Sequence, residues 1–174
     1  MDRHEAARAS GLAAGSMDLL GLHRAIMARM SEVAASLAPF ETKTEARAPR
    51  VFDGWLPPKA SSDEERFPFL IVRLKSGSDS AAGADENATV AVKIIVGLYS
   101  DTDQGFFDAL SVIDAVRADL GAEPEIEGTG YQHVGPLTWE IPEEQPRPEW
   151  FGTITTNWQV PRPQRVEARN ASEG

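Results

Sequence analysis

Cysteine is missing from all 174 residues, which excludes disulfides, thiolate zinc sites, iron–sulfur clusters and cysteine nucleophiles together. Nothing points to an oxidising compartment. Long apolar runs are missing too: none approaches the roughly 20 residues that span a bilayer. The alanine-rich start carries Glu5 among its few apolar residues and makes a poor signal-peptide core. The expectation is a soluble, intracellular protein, on which Asn170-Ala171-Ser172 is a chance match to a glycosylation acceptor. Histidine is scarce, and His4, His23 and His133 lack the short spacing that a shared metal needs. No Walker A sequence is present, and Gly128-Thr129-Gly130 lacks the third glycine and the following helix of a dinucleotide loop. No serine sits in a Gly-x-Ser-x-Gly elbow or a Ser-x-x-Lys motif. The neighbouring carboxylates of Glu143-Glu144 diverge on an extended chain, so they make a poor acid–base or Mg²⁺ pair. No catalytic centre, metal or cofactor is expected.

What is present fits one domain. At this length folding buries roughly 70% of the surface of the unfolded chain, enough for one core. The 12 prolines and 14 glycines call for many turns. The formal charge of −10 is concentrated: Asp101 to Glu144 holds eleven acids against Arg117 alone, while the remainder balances. Phosphate recognition needs clustered Lys and Arg, so direct nucleic-acid binding is not expected. The segment is either a solvated acidic face or a surface that DNA slides past without sticking.

Along the chain, residues 1–16 form an expected flexible leader ending at a capping Ser16, with Met17 as an alternative start. Leu19, Leu22, Ile26, Met30, Val33 and Leu37 then recur at helical steps up to Pro39. Strands are expected at Arg50–Leu56, at Phe69–Leu74, which is apolar on both faces, and at Ala88–Tyr99. In the last, Val90, Val92, Ile94, Val96 and Leu98 share the core face. The other face, with Lys93 and Tyr99, meets solvent or a neighbouring subunit. Ser76 to Asn87 is an expected flexible loop. A second helix carries Phe106, Leu110, Ile113, Val116 and Leu120 and stops at Gly121. Further strands are expected around Glu125–His133, Leu137–Ile141 and Thr153–Val160, with a stiff extended proline-rich connection from Pro142 to Trp150. Trp139, Trp150 and Trp158 suit core or interface, and Trp150, beside the prolines, is the interface candidate. The order α-β-β-β-α-β-β-β implies an α+β fold, a mostly antiparallel sheet with two helices largely on one face, over residues 17–161, followed by a polar tail at 162–174.

At Phe67-Pro68-Phe69-Leu70-Ile71-Val72-Arg73-Leu74, at Val92 to Tyr99, at Gly105-Phe106 and at Glu144-Gln145-Pro146-Arg147-Pro148-Glu149-Trp150-Phe151-Gly152, the chain resembles tail-completion or tail-terminator proteins of long-tailed phages and prophages. The similarity covers residues 17–161; members often carry aromatics where this chain has Arg147 and Glu149. The resemblance implies a structural, non-enzymatic virion protein, made in the host cytoplasm and placed at the tail–neck junction. It implies a homo-oligomer, a six-subunit ring that caps the head-proximal end of the tail tube, stops its growth and joins a neck or head-completion protein, with no cofactor and no membrane. Interface candidates are then Gln145, Pro146, Arg147, Pro148, Trp150, Lys93 and Tyr99. Asp101, Asp103, Glu123, Glu125, Glu127, Glu143 and Glu144 are candidates for the wall of a channel through which DNA passes unbound. On this reading the Ser76–Asn87 loop and both tails order on contact with tube or neck. The alternatives are another neck or head–tail connector subunit and, from a different class, a small-ligand or peptide-binding α+β module built on the Trp-rich end.

Overall fold

The computed structural model describes residues 18–80 and 87–161. Ser16 as a cap, Met17, His4, the centre of the Ser76–Asn87 loop and the tail 162–174 lie outside them. Helices α1 (Leu19–Ser36) and α2 (Gln104–Ala122) and strands β1 (Arg50–Asp53), β2 (Phe69–Asp79), β3 (Asn87–Tyr99), β4 (Gln132–Glu140) and β5 (Glu149–Pro161) make an α+β fold. The sheet order is β1-β2-β3-β5-β4, with β1–β2 parallel and the other pairs antiparallel.

Alternation builds the main core. Leu70 and Val72 of β2, Val90 to Leu98 on the even positions of β3, and Trp150, Ile154, Trp158 and Val160 of β5 all point to one face. Both helices cover that face, α1 over β1–β2 and α2 over β3–β5. The opposite face carries a smaller cluster of Phe67, Phe69 and Ile71 with Phe52, Leu56, Ile95, Tyr99 and Phe151. This is why Phe69–Leu74 is apolar on both sides. Phe69 stands opposite Gly97, and a Cβ on Gly97 would lie 2.2 Å from the Phe69 ring, so only glycine lets the ring lie flat on β3.

Several boundaries differ from expectation. α1 begins at Leu19, where Asp18 accepts from the Gly21 amide at 2.7 Å and supplies the cap in place of Ser16. Leu22, Ile26, Met30 and Val33 are buried as the period requires, but Leu19 is exposed at the start of the helix. In α2 the buried stripe is Gly105, Ala109, Val112, Ile113, Val116 and Leu120; Phe106 lies off it, and the helix runs through Gly121 to Ala122. Ser76 to Asp79 is no loop: these residues extend β2 and pair with Ala88 to Ala91. β1 stops at Asp53, so the far edge of β2 has no strand beside it from Leu74 to Asp79 among the described residues.

The strand expected at Glu125–His133 is a turn, because Gly128 and Gly130 take φ of 74° and 76° and only Glu125 bridges to Gln132. β4 starts at Gln132 and breaks register between Val134 and Thr138, where Gly135 has φ 68° and Pro136 lacks a donor. This bulged outer strand resists pairing with another sheet. Arg29 of α1 ties the helices together: its guanidinium pairs with Asp119 at 2.6 Å and donates to the carbonyls of Asp119, Glu123 and Glu125 at the end of α2.

Candidate functional site

The resemblance-bearing segments meet at one corner, where β3 hands the chain to α2 and β4 turns into β5. Trp150 anchors it. Only 5% exposed, its indole N–H donates to the Ser100 carbonyl at 3.1 Å, and Gly105 packs so closely that a Cβ there would sit 2.2 Å from the ring. Trp150 is therefore a core residue, which withdraws it from the candidate interface set; Trp158 is also buried, and Trp139, 47% exposed, is the tryptophan of the three that faces outward.

The connection after β4 is a folded loop, not a stiff extended arm, and Gln145 folds it. Its side-chain amide donates to the carbonyls of Pro142 and Phe151 at 2.8 and 3.0 Å and accepts from the Phe151 amide at 2.8 Å. Gln145 thus stands in for a strand neighbour of Phe151. Replacing it with alanine removes three bonds of net value near 1 kcal/mol each, less what water restores, so a loss of about 2 kcal/mol is expected. Gln145→Glu should cost as much, since a carboxylate cannot donate to either carbonyl. Urea unfolding checks both, and a Glu variant as stable as the parent would refute the role of the donors.

Arg147 is exposed, pairs with Asp103 at 2.6 Å, and lies over the Trp150 ring at 4.7 Å. Pro146 is exposed and Pro148 half-buried beside it. Between this loop and the start of α2 lies a cavity of about 390 Å³ lined by Asp103, Phe106, Phe107, Ile141, Pro142, Glu143, Gln145, Arg147 and Trp150. Phe106 and Phe107 meet edge to face at 5.4 Å, and Phe107 is 56% exposed. Arg147 and Gln145 are engaged with their neighbours, leaving an apolar hollow with an acidic rim.

Lys93 and Tyr99 lie away from this hollow, half-buried on the second sheet face. The Tyr99 hydroxyl donates to Asp101 at 3.2 Å. Desolvation first, then that bond and charge, hold its phenol above the ordinary value. Lys43 stands over the ring at 5.9 Å.

A second apolar surface lies on the other flank of the sheet, built from residues that no motif or period in the sequence links. A groove of about 600 Å³ runs between the first turn of α1 and the edge of β2, lined by Leu19, Leu20, His23, Gly54, Trp55, Arg73, Leu74 and Lys75. Trp55, 70% exposed, is held by the Arg73 guanidinium at 3.6 Å from its ring, and Arg73 Nε donates to the Gly54 carbonyl at 2.8 Å. His23 pairs with Asp53 at the rim.

The acidic candidates are all exposed but fall into two groups. Asp101, Asp103, Glu143 and Glu144 cluster at the start of α2; Glu123, Glu125 and Glu127 follow its end, roughly 28 Å away along the 1.5 Å rise of the helix. Asp108 and Asp114 lie between them along α2.

His133 meets Trp158 edge-on at 5.7 Å, with Nε2 buried and unpartnered among the described residues. Burial holds its pKa below the usual imidazole value. The fold thus accommodates the neutral ring: its contribution is whole above the unfolded pKa of about 6.5 and is lost as pH falls through that value toward the lower folded one. Calorimetry between about pH 7 and pH 5.5 should show a larger drop in Tm for the parent than for His133→Phe, and equal drops would assign the acid sensitivity to other groups.

Among the described residues no group of three or more His, Asp or Glu is placed to hold a metal ion, and no helix is long and apolar enough to cross a membrane. Compared with protein-family models and with curated proteins, the chain matches none.

Proposed function

We propose that this chain is a structural subunit of a ring that terminates the tail tube of a long-tailed phage or phage-like particle and joins it to the neck. The observation that carries the reading is the pair of apolar surfaces on opposite flanks of the sheet, the Phe106–Phe107 corner and the Leu19–Leu20–Trp55 groove. A closed ring needs two different adhesive flanks on every subunit. The resemblance segments also hold structural posts: Phe67–Leu74 supplies both sheet faces, Gly105 seats Trp150, and Gln145 folds the loop that borders the hollow. With the far end of α2 toward the channel, Glu123, Glu125 and Glu127 repel passing DNA.

Deleting the gene from the genome that carries it and imaging the particles tests this. Tails of uncontrolled length, separate from heads, are the expected result. Normal tails without heads would move the protein to the neck, and unchanged particles would overturn both.

A further inference from the structure

We infer that the two flanks are partners for each other: the Phe106–Phe107 corner of one copy seats in the Leu19–Leu20–Trp55 groove of the next. Charge selects this pairing. The groove is lined by the bases Arg73 and Lys75, which outnumber the Asp53 carboxylate that bonds His23 at its rim. The corner carries Glu143 and, directly after the phenylalanines, Asp108, with Arg147 neutralised by Asp103. A symmetric contact would set groove against groove or corner against corner, placing like charges across an apolar patch, which is disfavoured. Corner in groove places acids against bases around aromatic anchors. Such a contact is heterologous, so it propagates from copy to copy and closes into a ring or runs on as a filament. Because the groove reaches Leu74 and Lys75, where the edge of β2 has no strand beside it among the described residues, a visiting loop can also bond to backbone there.

The inference rests on the assembly reading above but is tested on purified full-length protein. Since the sequence has no cysteine, introduced thiols are unique. Lys75 and Glu143 are both exposed, one on each surface. The double variant Lys75→Cys/Glu143→Cys, treated with a short bis-maleimide, should give linked dimers, trimers and larger species. Either single variant alone should give none, and the two mixed should give dimers only. Adding Trp55→Asp to the double variant should cut the linked fraction about tenfold, the loss of one aromatic anchor. Single variants linking to themselves would establish a symmetric contact and overturn the inference, as would no linking in the double variant. Linking that appears only once residues 1–17 are removed would assign the groove to the chain's own N-terminal segment and overturn it equally. Linking as expected with unchanged particles on gene deletion would sink the tail reading and leave the contact standing; uncontrolled tails without linking would do the reverse.

Discussion

Replacing Arg29 with alanine should destabilise the fold by about 3–4 kcal/mol, roughly a 10 °C fall in Tm for a domain of this size. The residue is 9% exposed and does two jobs with one fork. Nε meets the Asp119 carboxylate at 2.6 Å, while Nη1 and Nη2 reach the carbonyls of Asp119, Glu123 and Glu125 at 3.1, 2.7 and 3.2 Å. The Asp119 carbonyl also accepts from the Glu123 amide at 3.0 Å, whereas the Glu123 and Glu125 carbonyls lie just past the last turn, where α2 has no glycine in the left-handed conformation to close it, since Glu123 takes φ −136°. A positive charge at a helix C-terminus also opposes the negative end of the dipole. Removing the fork takes the described partner from the Asp119 carboxylate and from the Glu123 and Glu125 carbonyls together, a heavier loss than one surface ion pair, which is worth about 0–1 kcal/mol. Lysine should not rescue it, because an ammonium cannot reach four acceptors from one plane. Chemical denaturation of Arg29→Ala, Arg29→Lys and Asp119→Asn decides the matter: a loss under about 1 kcal/mol in the alanine variant would mean that water satisfies the end of α2.

Arg29 also shows where the sequence stops being legible. Its partners lie about ninety residues along the chain, and no local pattern marks an arginine within an apolar helical stripe as the cap of another helix. What repeats locally is legible. The 3.6-residue period announces α1, and the alternation of β3 announces its core face from Val90 to Leu98. Where an element outruns its neighbour, the pattern misleads. Phe106 and Leu19 satisfy a helical stripe, yet they are 39% and 55% exposed and line surface hollows, and periodicity carries no information about where a neighbour ends. Gly128 and Gly130 are visible as breaks in a strand pattern, but two positive φ angles so close together make a turn outright. Prolines mislead in the opposite direction. Three of them suggest an extended arm, but Gln145 folds the segment by bonding to the backbone on both sides, a role its sequence context does not display. The candidate site is half visible for the same reason: each of the two segments of the corner, Asp103–Phe107 and Ile141–Trp150, can be picked out along the chain, but their meeting cannot, and the groove forms only when the first turn of α1 meets Trp55 and β2.

The same substitution at two places in α2 should move stability in opposite directions. Gly121→Ala fills open space, since nothing lies within 4 Å of a Cβ there, and its φ is not in the left-handed region. Alanine therefore gains helix propensity and restricts the unfolded chain, stabilising by about 0.5–1 kcal/mol. Gly105→Ala meets the Trp150 ring, with Cβ 2.2, 2.4 and 2.4 Å from Cδ1, Cγ and Nε1. That ring has nowhere to retreat: its N–H is bonded to the Ser100 carbonyl, Arg147 lies over its face, and Gly152 two residues on sits in register with Val96 at the centre of the sheet. α2 must lift instead, and the propensity gain is overwhelmed by a loss of about 3 kcal/mol, at the upper end of overpacking costs. The displacement also carries Phe106 and Phe107 away from the loop, so the corner should lose its shape before the protein loses its fold. Equal effects of the two substitutions in urea unfolding would show that Trp150 yields easily, and would remove the claim that the tryptophan fixes the corner. Opposite signs, with bis-maleimide linking of the Lys75→Cys/Glu143→Cys protein weakened by Gly105→Ala and untouched by Gly121→Ala, would tie the Gly105–Trp150 contact to the surface presented to a neighbouring copy.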